Sequence, residues 1–239
     1  AAARAGLSAR ALEPTRVNET VAAARVAGSG PYVFDLGKNL TGWLELKMDG
    51  QAAGDTVTLQ VADDAQSVAD FGQRNVYVCR GGPGERFGNR FNFQGGRYVT
   101  VAGLRRAPAP GDLTARALAT DLRRAGRFSC SNPLYNRIYE TDLWTYRANT
   151  VEGFTMDCPH RERLGYGEVA FATAWGIGLP GYGAEALYAK VVRDWCDVQE
   201  ADGWVHHTAP QPSPDYGGPM WSSAGLNVGW ELYRATGDR

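Results

Sequence analysis

The chain has 239 residues, 44% of them hydrophobic, enough for one large domain or two ordinary ones with a sizeable core. A formal net charge of -1, from 25 basic and 26 acidic residues dispersed along the chain, leaves no electrostatic footprint for nucleic acid or an anionic membrane, so neither is expected as a partner. No apolar run reaches membrane-spanning length, and Ala1 to Arg10 lacks the continuous apolar segment of a secretory leader, so the chain reads as soluble with its compartment open.

From Tyr32 to about Thr120 the pattern is that of short strands. Trp43, Leu44, Leu46 and Met48 form a partly alternating run that ends at Asp49-Gly50, and Val57, Leu59 and Val61 alternate with Thr56, Thr58 and Gln60. Val76 to Cys79, Phe91 to Phe93 and Arg97 to Val101 continue the series, separated by glycine clusters at 81–84 and 95–96. Many short strands with turn residues between them predict a β-sandwich. Cys79, Cys130, Cys158 and Cys196 are too widely spaced for a zinc ribbon or a redox pair and are expected to be free thiols.

Near Ser129 the period changes. Ser131 or Asn132 can cap a helix with Pro133 at its first position, and Tyr135, Tyr139, Leu143 and Tyr146 recur at helical spacing, which predicts a helix over 132–149. Leu187, Val191, Trp195 and Val198 predict a second over 184–200, and Leu226, Trp230 and Tyr233 a third over 223–235, with Trp195 and Trp230 in the core. Residues 169–179 form at most a short helix, weakened by glycines and Pro180. The chain therefore divides into an all-β part, 1–125, and an all-α part, 126–239.

The densest set of reactive groups lies between helices, at Asp157-Cys158-Pro159-His160-Arg161-Glu162-Arg163-Leu164-Gly165-Tyr166-Gly167-Glu168. Carboxylates beside arginines on an arbitrary loop are usually solvated ion pairs. Here Tyr166, Trp175, Trp204 and Trp221 flank them, and that pairing of flat rings with carboxyl and guanidinium groups suits a neutral sugar. His206-His207 reads as substrate contact or packing, because sequence neighbours point apart and no third metal ligand is indicated. Cys158 has no independent base and reads as a structural thiol.

The run DCPHRERLGYG, Asp157 to Gly167, closely resembles the catalytic-loop signature of the α-L-rhamnosidases of glycoside hydrolase family 78. FDLGKNLTGWLELKMDG (34–50), FNFQGGRYVTV (91–101), the helix-forming stretch 128–149 and residues 191–211 and 217–238 extend that resemblance over nearly the whole chain from about residue 30. The resemblance implies a β-sandwich followed by the first helices of an (α/α)6 barrel, truncated relative to the family. It also implies inverting hydrolysis of a rhamnose-containing carbohydrate substrate, with no cofactor and no metal. By position in the signature Glu162 is the general acid, Asp157 and Arg161 hold the rhamnose and Tyr166 is a pocket aromatic; outside the signature, Trp221 resembles another pocket aromatic, and His207 is placed among the sugar contacts. Where many members carry an aspartate after the glycines this chain has Glu168 and Val169, so Glu168 takes the aspartate's part or the hydroxyl contact is lost. The general base falls outside the chain, and a barrel cut short is expected to expose Leu187, Val191 and Trp195. The alternatives are a related glycosidase of shifted sugar specificity and a non-catalytic carbohydrate-binding or structural fragment. Partial burial is expected to raise the pKa of Glu162.

Overall fold

The computed structural model describes residues 9–212 and 216–238, so most of the Ala1–Arg10 start lies outside the described residues. Eight strands come first: β1 (Thr15–Ala22), β2 (Arg25–Ala27), β3 (Tyr32–Lys47), β4 (Thr56–Ala62), β5 (Arg74–Val78), β6 (Arg86–Gly88), β7 (Gln94–Ala102) and β8 (Leu113–Thr120). Their spatial order is β1-β8-β3-β7-β4-β5, with β2 and β6 also pairing along β3. Every pair is antiparallel.

The long strand β3 organises this part. Its first half lies against β7 and residues 42–46 lie against β8, with a register irregularity between Asp35 and Leu40. At the changeover a Cβ on Gly42 would stand 2.1 Å from the Arg116 carbonyl oxygen, so the two backbones meet only because that position is glycine. The alternation read at Val57, Leu59 and Val61 is real: all three are buried, and Thr58 and Gln60 face outward. Phe34, Leu46, Met48, Leu59, Val99 and Leu113 fill one core, each contributing about 1.5–3 kcal/mol of apolar burial. Phe91–Phe93 is not a strand. The Asn89 side chain accepts from the Phe91 backbone N–H at 3.2 Å, a local turn that competes with ladder pairing and leaves Phe91 fully exposed.

The helical part begins with α1 (Pro133–Asn149), where Asn132 caps through its side-chain oxygen, accepting from Leu134 N–H at 2.9 Å. A two-strand hairpin, β9 (Thr150–Val151) and β10 (Phe154–Thr155), follows α1. Then come α2 (Gly167–Thr173), a wide π turn over 174–178, α3 (Leu179–Tyr182), α4 (Glu185–Asp197), α5 (Pro219–Ser222) and α6 (Ala224–Thr236). Among the described residues no helix is long and apolar enough to cross a membrane, and all four cysteines are unpaired.

Two expectations about the apolar faces fail for one reason. Leu187, Val191 and Trp195 on α4 are buried, not exposed, because α6 lies on them. It does so through its small-residue side: Ala224 and Val228 are buried, and a Cβ on Gly225 would meet Trp195 at 3.2 Å. The opposite stripe of α6 therefore faces outward, so Trp230 is 59% exposed and Leu226 80% exposed. Helical period marks a stripe without saying whether bulk or close approach decides which stripe packs.

The two parts meet at Trp144 of α1, which packs against the β core. Its indole N–H donates to the Asn39 carbonyl at 2.6 Å, Lys38 Nζ stands 3.7 Å from its ring centroid, and the Arg147 guanidinium 4.5 Å. Glu19 of β1 pairs with both cations, at 2.7 Å to Lys38 and 3.2 Å to Arg147.

Candidate active site

The loop that holds the expected site residues leaves the β9–β10 hairpin at Met156, which is buried and whose N–H donates to the Asn149 carbonyl at 2.8 Å. It then closes on itself. The Asp157 N–H donates to the Leu164 carbonyl at 3.3 Å, and the Arg161 and Arg163 N–H groups both donate to the Cys158 carbonyl at 3.2 Å. Arg163 takes φ +60°, a left-handed backbone that a long side chain adopts only under constraint. The chain re-enters regular structure along residues 207–209: Gly167 N–H donates to the His207 carbonyl at 3.0 Å and Ala209 N–H to the Gly165 carbonyl at 3.2 Å. A Cβ on Gly167 would lie 1.8 Å from the Trp221 carbonyl oxygen, so this glycine lets the start of α2 and the half-buried Trp221 come together.

The expected site residues fall into two groups. In the first, the Arg161 guanidinium donates two hydrogen bonds to Glu162, through Nε to Oε2 and through Nη2 to Oε1 at 3.1 Å, and lies 3.7 Å from Asp157 Oδ2. The Cys158 thiol donates to Asp157 at 3.5 Å. Burial and the neighbouring carboxylates push that thiol up to about 11, so it stays protonated near neutrality and is no nucleophile. Asp157, Cys158 and Glu162 offer ligand atoms within 4.8 Å of one another, the only such group among the described residues, but Arg161 already supplies positive charge to both carboxylates.

In the second group the Tyr166 and His207 rings stack at 5.3 Å and 25°, and Glu168 sits in the first turn of α2. His206 turns to Glu200, Nε2 to Oε1 at 2.9 Å, so the adjacent histidines serve different neighbours. Trp204 packs on Tyr216 at 4.8 Å and Trp175 lies exposed on the π turn. The two glutamates have opposite electrostatics. Burial opposes the charge on Glu162, but the Arg161 hydrogen bonds and charge outweigh it and hold the carboxyl below the usual range, contrary to expectation. Burial raises Glu168, reinforced by the nearby Asp157 charge, and Glu168 Oε2 is buried without a hydrogen-bond partner among the described residues.

Sequence reasoning missed the residues that reach this loop from the β part. Arg163 crosses to the segment before β7, donating through Nη1 to Asn92 Oδ1 and through Nη2 to the Phe93 carbonyl, both at 2.7 Å, with its guanidinium 4.3 Å from the Phe93 ring centroid. It also donates through Nε to the Pro159 carbonyl at 3.1 Å. From the β4–β5 loop, the Phe71 ring lies 5.2 Å from that of His160, and Asp63 Oδ2 stands 3.8 Å from His160 Nε2. A Cβ on Gly95 would meet both Pro159 and His160 at 3.3 Å. No pattern within either segment signals these contacts.

Two family models match, one after the other. Residues 25–119 match the bacterial α-L-rhamnosidase concanavalin-like domain, and residues 123–239 match the bacterial α-L-rhamnosidase six-hairpin glycosidase domain. The α-L-rhamnosidase of Streptomyces avermitilis is 31% identical over 95% of this chain and 23% of its own length. The crystal structure of an S. avermitilis α-L-rhamnosidase complexed with L-rhamnose superposes with a TM-score of 0.85 at 29% identity, covering 96% of this chain and 23% of that one. The α-L-rhamnosidase of Dictyoglumus thermophilum gives a TM-score of 0.84 at 27% identity, covering 92% and 26%. The chain spans about a quarter of the length of these relatives. It belongs to the bacterial α-L-rhamnosidases of glycoside hydrolase family 78, of which it carries the concanavalin-like β-sandwich and the opening helices of the six-hairpin glycosidase domain.

Proposed function

We propose that this segment, with residues 1–125 and 126–239 as its two domains, supplies the acid half of a glycosidase that removes terminal α-L-rhamnose with inversion. The observation that carries the reading is the Asp157–Arg161–Glu162 cluster, held on a self-closed loop in the first helical hairpins of a family named for rhamnose release. Glu162 is the general acid. Asp157, Arg161, Glu168, Tyr166, His207 and Trp221 bind the sugar through charged hydrogen bonds and flat rings. A protonated Glu162 requires that Arg161 be drawn off it, and a sugar hydroxyl received by Arg161 and Asp157 does this. Burial then raises the Glu162 carboxyl. Inversion needs a second carboxylate roughly 6.5–9.5 Å away to activate water. Asp157 and Glu168 are taken up by the sugar in this reading, so the base is assigned to the longer enzyme.

One observation favours a second reading. Glu168 is the carboxyl whose neutral form is stabilised before any ligand binds, which suits a proton donor. In the longer enzyme, Glu162→Gln should lower turnover by about 100-fold or more on a rhamnoside with a poor leaving group while L-rhamnose still binds. Glu168→Gln should instead weaken binding with a smaller loss of turnover. Interchanged results would transfer the acid role to Glu168, and activity unchanged in both variants would remove both from proton transfer.

A further inference from the structure

Phe71 combines features that ordinary loop chemistry does not explain. It is a large apolar side chain, 63% exposed, on the β4–β5 loop of the sandwich. Its φ is +49°, a left-handed backbone that is strained for an aromatic residue and that the glycine beside it, Gly72, adopts at φ +70° without that strain. The loop is nevertheless fixed. Asp70 accepts from the Asp63 N–H at 2.6 Å and its own N–H donates to the Val61 carbonyl at 2.9 Å. Gln73, buried, exchanges two hydrogen bonds with the Gly95 backbone at 2.7 and 2.8 Å, and Gly95 is the strand residue against which Pro159 and His160 pack. A rigid mount therefore holds a strained ring over the catalytic loop, with His160 at 5.2 Å and the Arg161 guanidinium 5.7 Å from the Phe71 centroid.

We propose that Phe71 is a positioning residue for the acid site: its ring, delivered by the sandwich, sets the orientation of the Arg161 guanidinium and thereby of the Glu162 carboxyl. Arg161 has few other restraints. Among the described residues its remaining partners are Glu162 and the more distant Asp157, both on its own loop, so the sandwich supplies its reference from outside that loop. An arginine over an exposed aromatic face at this range is held weakly, enough to bias one rotamer without locking it. That suits a group that must hold Glu162 in the empty site and yield to a sugar. The sandwich is then part of the catalytic apparatus, although Phe71 touches neither proton nor sugar.

The inference rests on Glu162 being the general acid, but its first test does not. The Glu162 carboxyl can be titrated by carbon NMR in the 239-residue chain itself, where Arg161, Asp157, Cys158, His160 and Tyr166 are its charged or titratable influences. Phe71→Ala should shift the Glu162 titration upward as the ion pair loosens, Arg161→Ala should shift it further, and Phe71→Tyr should leave it in place. Phe71→Gly removes the backbone strain, so it should not lower the melting temperature yet should give the same upward shift, a separation that a merely structural role would not produce. In the longer enzyme Phe71→Ala should reduce kcat on a poor-leaving-group rhamnoside by roughly twofold to fivefold, with KM nearly unchanged and activity restored in Phe71→Tyr. A Glu162 titration that moves in Arg161→Ala but not in Phe71→Ala or Phe71→Gly overturns the inference, whatever the turnover experiments say of Glu162.

Discussion

Arg163 is the residue on which the site's attachment to the sandwich most depends, and its removal can be worked through. Its half-buried guanidinium makes three hydrogen bonds, two of them across to Asn92 and Phe93, and stacks on the Phe93 ring. Burial lowers its pKa, and no carboxylate pairs with it among the described residues, so the oxygens it serves are all neutral acceptors. Hydrogen bonds to a charged group are worth about 1.5–3 kcal/mol each, but water can reach part of this cluster after truncation, so Arg163→Ala should cost about 2–4 kcal/mol in total. For a chain of this size that is a fall of roughly 5–15 °C in melting temperature, readable by calorimetry. Lysine keeps the charge but not the planar fork, so Arg163→Lys should recover less than half of the loss. Because φ is +60°, Arg163→Gly should be less harmful than Arg163→Ala by up to about 1 kcal/mol. A melting temperature for Arg163→Ala within about 2 °C of the parent would refute the account, as would Arg163→Gly proving the less stable of the two.

Two further outcomes follow from the start of α2. The folded-state pKa of Glu168 is raised, first by burial, so the parent is most stable below the ordinary glutamate value and loses stability as pH rises through the folded value. Glu168→Gln cannot ionise, so its melting temperature should match the parent's near about pH 4 and exceed it near about pH 7; an equal difference at both would refute the linkage. Gly167→Ala puts a methyl carbon 1.8 Å from a backbone oxygen that no rotamer change can move, and should lower the urea-unfolding free energy by about 2–3 kcal/mol.

What the sequence revealed depended on whether one segment or two carried the information. Val57, Leu59 and Val61 announced a strand because a sheet with one buried face writes its period into a single run. Asn132-Pro133 announced the start of α1 because a cap is a contact between neighbours. The loop from Asp157 was visible as composition but was expected between helices; it instead follows the β9–β10 hairpin and runs into the first turn of α2, and two-residue strands are too short to write a period into the sequence. Trp230 misled because α6 packs through glycine and alanine, whose small size, not their hydropathy, lets α4 approach. The opposite charge preferences of Glu162 and Glu168 were hidden, since they turn on which guanidinium folds back and which carboxyl oxygen is enclosed. Phe71, Asn92 and Phe93 were invisible as site residues because their partners lie about 70 to 90 positions along the chain.

Glu19 is one carboxylate serving two cations that flank Trp144, and it sits on β1, ahead of the residues matched by the sandwich family model. A shorter version of this protein begun at residue 25, as the match alone would recommend, would therefore lose more than an edge strand. It would strip the counter-charge from Lys38 and Arg147, leave both cations crowding one indole, and slacken the joint between sandwich and first helix while every residue of the loop 157–168 remained present. Such a truncation would keep the apparent boundaries of both domains while weakening the contact at Trp144, and because Leu12 packs on the helical core and the Pro14 carbonyl accepts from the Asp121 N–H, a shortened chain should keep the residues from Leu12 onward.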